Sequence, residues 1–369
     1  MSFTCVDGFC GAGGLSLGLK ESGFDILLSF DNDETCIDTL QCNRKYFNHS
    51  VECSGVEDML GGRLLDRIGL EQGELFLLAG GPPCQGFSVQ RIGKDIDDRN
   101  ELVLQYGKLV EEVRPLFFLM ENVSGIQGKR GSAVLARLME RLESVGYCIH
   151  KKTINAEDYG VPQRRKRVLL VGERKDVGSS YEFPEPTGER RTVRDAISFL
   201  PEPPKDGSSH PDYPLHRRDR LSEKNLARIN SLEQGQGRDY LPVELLADCH
   251  KVPSSTIGHR NVYGRMAWDD VAPTITARFD SFTRGQFGHP DQSRSISLRE
   301  GALLQTFPLD FSFVGSKVEV ARQIGNAVPP RLATCIGKSI IDYYKRGPYG
   351  NFVHGDSARV FTETPEGME

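Results

Sequence analysis

Asp7-Gly8-Phe9-Cys10-Gly11-Ala12-Gly13-Gly14 overlaps the end of an apolar run from Phe3 to Phe9, and this junction decides the fold. The run reads as a buried strand. Glycines after it let the backbone turn tightly and approach a ligand at the N-terminus of the following helix. Asp31 closes a second apolar run, Ile26 to Phe30, at a distance of about 20 residues from the glycine loop. A carboxylate there can hydrogen-bond the ribose of a nucleotide-like cofactor. A glycine loop by itself is also compatible with a simple tight connection.

Working outward, further short apolar runs occur at Leu75–Ala79, Leu116–Met120 and Val168–Gly172. Between them, Leu102, Tyr106, Leu109, Val110 and Val113 fall at helical spacing, as do Val134, Leu135, Leu138, Leu142 and Val145. Pro115 and Gly146 follow these two stripes, as helix-ending residues should. Alternation of this kind predicts an α/β fold with a doubly wound, mostly parallel sheet. After about Gly188 the character changes to PEPPKDGSSHPDYP-like sequence with weak periodicity until about Trp268, and a last apolar helical pattern runs over about residues 331–344. The expected division is a catalytic and cofactor-binding domain over 1–187, a smaller domain over 188–295, a return to the first domain over 296–346, and a poorly ordered tail over 347–369.

The net charge is −5, which excludes a uniformly basic nucleic-acid binder but leaves room for a local basic surface. The densest such patch is Gln163 to Arg167, which on charge alone reads equally as a solvated strand edge. Nine cysteines without a C-x-x-C pair support neither a disulfide framework nor a zinc site, so no metal is expected. No stretch is apolar enough to span a membrane and the start lacks a signal peptide, so the expectation is a cytoplasmic protein.

The most informative stretch is Ala79-Gly80-Gly81-Pro82-Pro83-Cys84-Gln85-Gly86-Phe87-Ser88. Two prolines fix the backbone, so the Cys84 thiol is presented from a stiff loop at the C-terminal edge of the sheet. A second loop, Met120-Glu121-Asn122-Val123, brings a carboxylate to the same edge. A lone cysteine is usually a buried apolar residue and a Glu-Asn pair usually a cap or turn. Both converging on a cofactor loop suggest nucleophilic attack assisted by an acid.

With these motifs the chain resembles the DNA cytosine-5 methyltransferase family over most of its length. DGFCGAGG is similar to the family's cofactor loop, GGPPCQGFS to its nucleophile loop and MENV to its glutamate loop. Asp97-Asp98-Arg99 with Leu102, then Tyr159-Gly160-Val161-Pro162-Gln163-Arg164-Arg165-Lys166-Arg167, follow in the family's order. So do Arg299-Glu300 through Gln305-Thr306-Phe307-Pro308, and Gln323-Ile324-Gly325-Asn326-Ala327-Val328-Pro329.

The resemblance implies a methyl transfer from S-adenosylmethionine to carbon 5 of cytosine in double-stranded DNA. Cys84 would add to carbon 6, Glu121 would hold N3 and the amino group, and Arg165 would supply the positive charge that favours the thiolate. The cofactor would meet Phe9, Gly11, Gly13, Gly14, Asp31, Pro83, Leu102, Asn326 and Val328. The substrate would meet Gln85, Ser88, Arg167 and, in the variable segment, the cluster Arg217, Arg218 and Arg220. That segment carries 15 Lys and Arg against 14 Asp and Glu between Gly188 and Arg284, so its recognition must rest on placement of charge. Where the family usually has an Asp-Ile pair for the adenine amino group, this chain reads Val51-Glu52-Cys53-Ser54-Gly55-Val56-Glu57-Asp58, and either Glu57 or Asp58 could serve.

Expected partners are DNA and, acting separately, a cognate restriction endonuclease, with the enzyme itself a monomer. The rival substrate is transfer RNA. Enzymes of that kind carry a Cys-Phe-Thr signature where this chain has Ser281-Phe282-Thr283, and Pro273-Thr274-Ile275-Thr276 with His289-Pro290 resembles the DNA enzymes. Two other rivals explain less: a non-catalytic binding protein leaves Cys84, Glu121 and Arg165 without a use, and a nicotinamide-dependent oxidoreductase leaves GGPPCQGFS unexplained.

Overall fold

The computed structural model describes residues 2–83, 99–129, 131–248, 251 and 262–347. Seven strands form one sheet: β1 (Thr4–Gly8), β2 (Asp25–Asp31), β3 (Ser50–Cys53), β4 (Leu77–Gly80), β5 (Phe117–Val123), β6 (Tyr147–Asn155) and β7 (Lys166–Arg174), in the order β3-β2-β1-β4-β5-β7-β6. The pairings from β3 through β5 are parallel. The strand that contains the Val168–Gly172 run, β7, is antiparallel to both β5 and β6. The sheet is therefore mixed and mostly parallel.

The chain winds outward from β1 to β3, then returns to β4 on the other side of β1. Such a reversal opens a crevice beyond the C-terminal strand ends, where ligands bind in open α/β sheets. Helices close both faces. On one, α1 (Gly14–Ser22) packs against the last helix, α10 (Pro330–Arg346), burying Leu15, Leu19, Ile336 and Ile340 over the sheet. On the other, α4 (Arg99–Val113) and α5 (Ser132–Ser144) bury Tyr106, Leu109, Val110, Leu135, Leu138 and Leu142. These are the two helical stripes visible in the sequence.

A third core joins α2 (Glu34–Cys42), α8 (Leu298–Leu304) and α9 (Lys317–Asn326) to Val193, Ile197, Met266, Trp268, Ile275 and Phe279. Much of the Pro- and Gly-rich region is thus anchored on the sheet domain. Only Ile229, Leu232, Leu241, Val262, Tyr263 and Phe282 form a separate small cluster. The helix α8 begins at a capping box in which Ser297 accepts from the Glu300 backbone, and α9 begins the same way at Ser316 and Glu319. Among the described residues, no helix is long and apolar enough to cross a membrane.

Beneath the first loop lies a buried polar chain. Ser16 Oγ donates to Asp7 Oδ2 at 2.5 Å, pairs with Ser29 Oγ at 2.9 Å, and Ser29 Oγ pairs with His49 Nε2 at 2.8 Å. Asp7 Oδ1 and His49 Nδ1, at the two ends, are buried without a hydrogen-bond partner among the described residues.

Candidate active site

The crevice between β1 and β4 holds a cavity of ≈ 380 Å³, lined by the ends of β1, β2, β4, β5 and β7 and by the end of α9. Its floor is the loop after β1. Phe9 adopts φ 57, a left-handed backbone that costs a non-glycine residue of order 1 kcal/mol, and its ring faces the cavity. The strained turn is held by Cys10 N–H donating to Phe30 O and by Gly13 N–H donating to Cys10 O. Gly11 follows at φ 51 with open space where a side chain would stand.

Asp31 secures this loop. Its Oδ2 accepts from Gly11 N at 2.9 Å and its Oδ1 from Asp33 N at 2.9 Å, although burial raises its pKa above the ordinary carboxylate value. Among the expected cofactor residues, Phe9, Gly11, Asp31, Pro83, Asn326 and Val328 line the cavity. Gly13 and Gly14 lie behind that lining. A Cβ on Gly14 would stand 2.3 Å from Val328 O, so its bare backbone lets the helix start and the loop after α9 touch. Leu102 packs half-buried against the α4 core. Neither Glu57 nor Asp58 lines the cavity: Asp58 accepts from Gly55 N at 3.2 Å and both residues are exposed.

Glu121 stands at the end of β5 with its carboxylate at the cavity wall. Arg167 Nε reaches Glu121 Oε1 at 2.7 Å, both side chains being nearly closed to solvent. The β5/β7 register explains the pairing, because Arg167 lies opposite Val123, on the same face as Glu121 and two residues along. A side chain at Gly81, where the nucleophile loop leaves β4, would meet Glu121 Oε2 at 3.6 Å. Buried Asn122 donates from Nδ2 to Pro82 O at 3.0 Å, tying the glutamate strand to the Pro-Pro turn. Sequence reasoning passed over Asn122 as a capping residue. Cys84, Gln85 and Ser88 lie outside the described residues, as do Asp97 and Asp98.

The geometry corrects the place assigned to Arg165. Its side chain is fully buried, and it donates from Nη1 to Ile275 O at 3.0 Å and from Nη2 to Gly325 O and Ala327 O at 3.0 and 2.9 Å. Burial lowers its pKa, with the Arg167 charge adding to the effect. A fork committed to three carbonyls serves the backbone, and of these two arginines it is Arg167 that lines the cavity.

The remaining wall comes from α9 and the loop after it. Arg322 Nη2 pairs with Asp33 Oδ2 at 2.7 Å, and both residues border the cavity. In the variable region, Arg218 is engaged by Glu202 and by Ser293 O. Arg217, half-buried, and Arg220, exposed, have no hydrogen-bond or ion-pair partner among the described residues. None of the three lines the cavity.

Comparison with known proteins agrees with this geometry. The family model described as C-5 cytosine-specific DNA methylase matches residues 3–342. The Type II methylase M.HgiDII of Herpetosiphon aurantiacus is 37% identical over 340 residues, which cover 91% of this chain and 94% of that protein. The Type II methyltransferase M1.HphI of Haemophilus parahaemolyticus is 35% identical, over 92% of this chain and 87% of that protein. Among solved structures, a putative DNA modification methyltransferase from an Escherichia coli prophage superposes with a TM-score of 0.71 at 27% identity, covering 92% of this chain and 99% of the other.

Proposed function

The chain belongs to the C-5 cytosine-specific DNA methylase family and is a DNA (cytosine-5) methyltransferase, and on that premise we propose how its cavity works. The methyl donor is S-adenosylmethionine. The cavity suits it in size and in donor set: Gly11 leaves room for close backbone approach, Asp31 offers a carboxylate to ribose hydroxyls, and Phe9 offers an aromatic face to adenine. Asn326 and Val328 flank the methionine end. Bound there, the cofactor supplies an electrophilic methyl group.

The observation that carries the reading is the Glu121–Arg167 pair on the wall shared by this cavity and the strand end that launches the Cys84 loop. Cytosine carbon 5 is a poor nucleophile until something adds at carbon 6. Cys84 adds there as the thiolate, its sulfur forming a bond while the ring electrons move toward N3, where Glu121 holds or donates a proton. Arg167 orients the glutamate and offers donors to the base edge. Carbon 5 then takes the methyl group, and loss of its proton followed by release of Cys84 restores the aromatic ring and the free thiol. The target base must leave the duplex stack, at a cost of a few kcal/mol, to reach this wall.

The segment 188–295 serves as the reader of DNA sequence, with Arg217 and Arg220 its uncommitted cations and Arg218 bracing it. DNA rather than transfer RNA is the substrate, in keeping with the C-5 cytosine-specific DNA methylase family and with relatives named as Type II methylases and methyltransferases. We further propose that a companion endonuclease, acting separately, cleaves the sequence that this enzyme protects, and that the enzyme acts as a monomer in the cytoplasm. The test is a trap: DNA carrying 5-fluorocytosine holds the covalent adduct because fluorine does not leave as a proton does. A denaturation-resistant complex is expected with the wild type and none with Cys84→Ser. Persistence of the adduct in that variant would overturn the assignment of Cys84.

A further inference from the structure

Beyond the cavity itself, a buried polar network joins four distant stretches of chain. Residues 272–275 lie along residues 162–165: Ala272 N donates to Pro162 O at 3.0 Å, Arg164 N to Ala272 O at 2.9 Å, and Thr274 Oγ1 to Arg164 O at 2.6 Å. At the end of this seam both amide groups of Ile275 are gripped by side chains. Its N–H donates to Gln163 Oε1 at 3.0 Å and its carbonyl accepts from Arg165 Nη1 at 3.0 Å. The opposite side of the same guanidinium holds Gly325 O and Ala327 O. Gln163 also reaches Gln305 Oε1 at 2.7 Å, and Gln305 Nε2 donates to Ile324 O at 2.5 Å.

Two features make this a rigid linkage. Gly325 presses directly on the backbone of Thr276, where any Cβ would stand 2.2 Å from the Thr276 carbonyl carbon. Ala327, whose carbonyl Arg165 holds, sits between Asn326 and Val328, both of which line the cavity. On the far side, residues 272–277 belong to the proposed DNA-reading segment. A displacement of that segment cannot reach Ile275 without pulling on Arg165, and Arg165 cannot shift without disturbing the Ala327 turn.

We infer that Arg165 is a positioning residue that couples the DNA-reading segment to the cofactor loop, by holding the Ile275 carbonyl and the Gly325 and Ala327 carbonyls in one fork. The inference rests on the reading that residues 326–328 contact S-adenosylmethionine. DNA that engages the segment therefore tightens the cofactor, and cofactor reciprocally tightens DNA, as linkage requires. Lysine keeps the charge but presents a point donor in place of a planar fork, so it cannot hold all three carbonyls in the same geometry.

The experiment is a binding cycle. Calorimetry measures the affinity of S-adenosylhomocysteine for the full chain with and without a duplex carrying the cytosine context that the wild type methylates in cells, mapped by bisulfite sequencing. In the wild type the duplex should tighten the ligand by about fivefold or more, the lower end of ordinary coupling. In Arg165→Lys that ratio should fall to within about twofold of unity. Thr274→Val, which loosens the seam without touching the fork, should give an intermediate ratio and decides the matter if Arg165→Lys does not fold. A wild-type ratio of one, or a variant that binds more weakly but keeps the full ratio, overturns the coupling. Failure of the wild type to bind the ligand in either state overturns the cofactor reading instead.

Discussion

Arg167 Nε lies 2.7 Å from Glu121 Oε1 although the two residues belong to strands that run in opposite directions. One β7 strand reversed in an otherwise parallel neighbourhood brings a cation to the same sheet edge as the carboxylate. Glu121→Gln preserves shape and removes the exchangeable charge. Turnover should drop by about 10²–10⁴-fold, the usual contribution of a positioned proton donor, while cofactor affinity changes by less than about twofold. Single-turnover methylation and calorimetry on the same preparation check both numbers. Equal losses in each would show that the carboxylate only shapes the cavity.

Arg167→Lys should lower kcat by about tenfold or more, because lysine has no charged donor where Arg167 Nε stands beside Glu121 Oε1. Combined with Glu121→Gln, its effect should largely vanish, since the two side chains act as one unit. Strictly additive losses in the double variant would separate them.

Asp31→Ala removes the acceptor for two backbone N–H groups as well as the carboxylate offered to ribose. Cofactor affinity should fall by about tenfold or more, on the scale of a lost charged hydrogen bond. Asp31→Asn keeps one carbonyl acceptor and should fall between. Calorimetric titration with S-adenosylmethionine decides, and an undiminished affinity in Asp31→Ala would remove this residue from the cofactor site.

Asp7 and His49 end the buried chain with opposite pH dependences. Burial pushes the Asp7 carboxyl up from 3.8 to about 7, so between these values the folded protein retains a proton that the unfolded chain has lost, and stability falls as pH rises. Burial lowers His49 from 6.5 to about 4, so across that window the unfolded chain holds the extra proton and stability rises with pH. In the wild type the slopes oppose each other. Asp7→Asn deletes the first, so its stability relative to the wild type should improve by about a few kcal/mol from pH 4 to pH 7. Urea unfolding at several pH values tests this, and a constant difference would refute it.

Gly14→Ala places a methyl group against the Val328 carbonyl, at a distance that packed atoms do not tolerate. A loss of about 1–3 kcal/mol in stability is expected, as in other overpacked sites, together with weaker cofactor binding. Thermal unfolding and calorimetry check the two effects, and an unchanged melting temperature would show that the loop yields freely.

The central strands and covering helices were legible because each carries an apolar run or a clean helical stripe. β3 and β6 were not, and the reason is their position: both are edge strands with partly exposed faces, and SVEC and YCIHKKTIN lack the apolar runs that mark the others. The reversal of β7 has no local signature, since strand direction depends on the connection and not on the run itself. For the same reason motif order could name both arginines of the basic stretch but could not tell which faces the cavity. The carbonyls around Arg165 decide that, and they come from residues 275, 325 and 327, far away in the chain. The strain at Phe9 was equally invisible, because a phenylalanine gives no warning of positive φ.

The touching of Gly14 and Val328 joins one of the first turns of the chain to one of its last. A ribosome working from the N-terminus finishes the floor of the cavity and the whole sheet well before residues 323–328 exist to close it. However well the early strands have folded, a nascent chain has no complete pocket for the methyl donor. Until Gln323, Asn326, Ala327 and Val328 have been made, the floor laid down by the first turns stands open on that side.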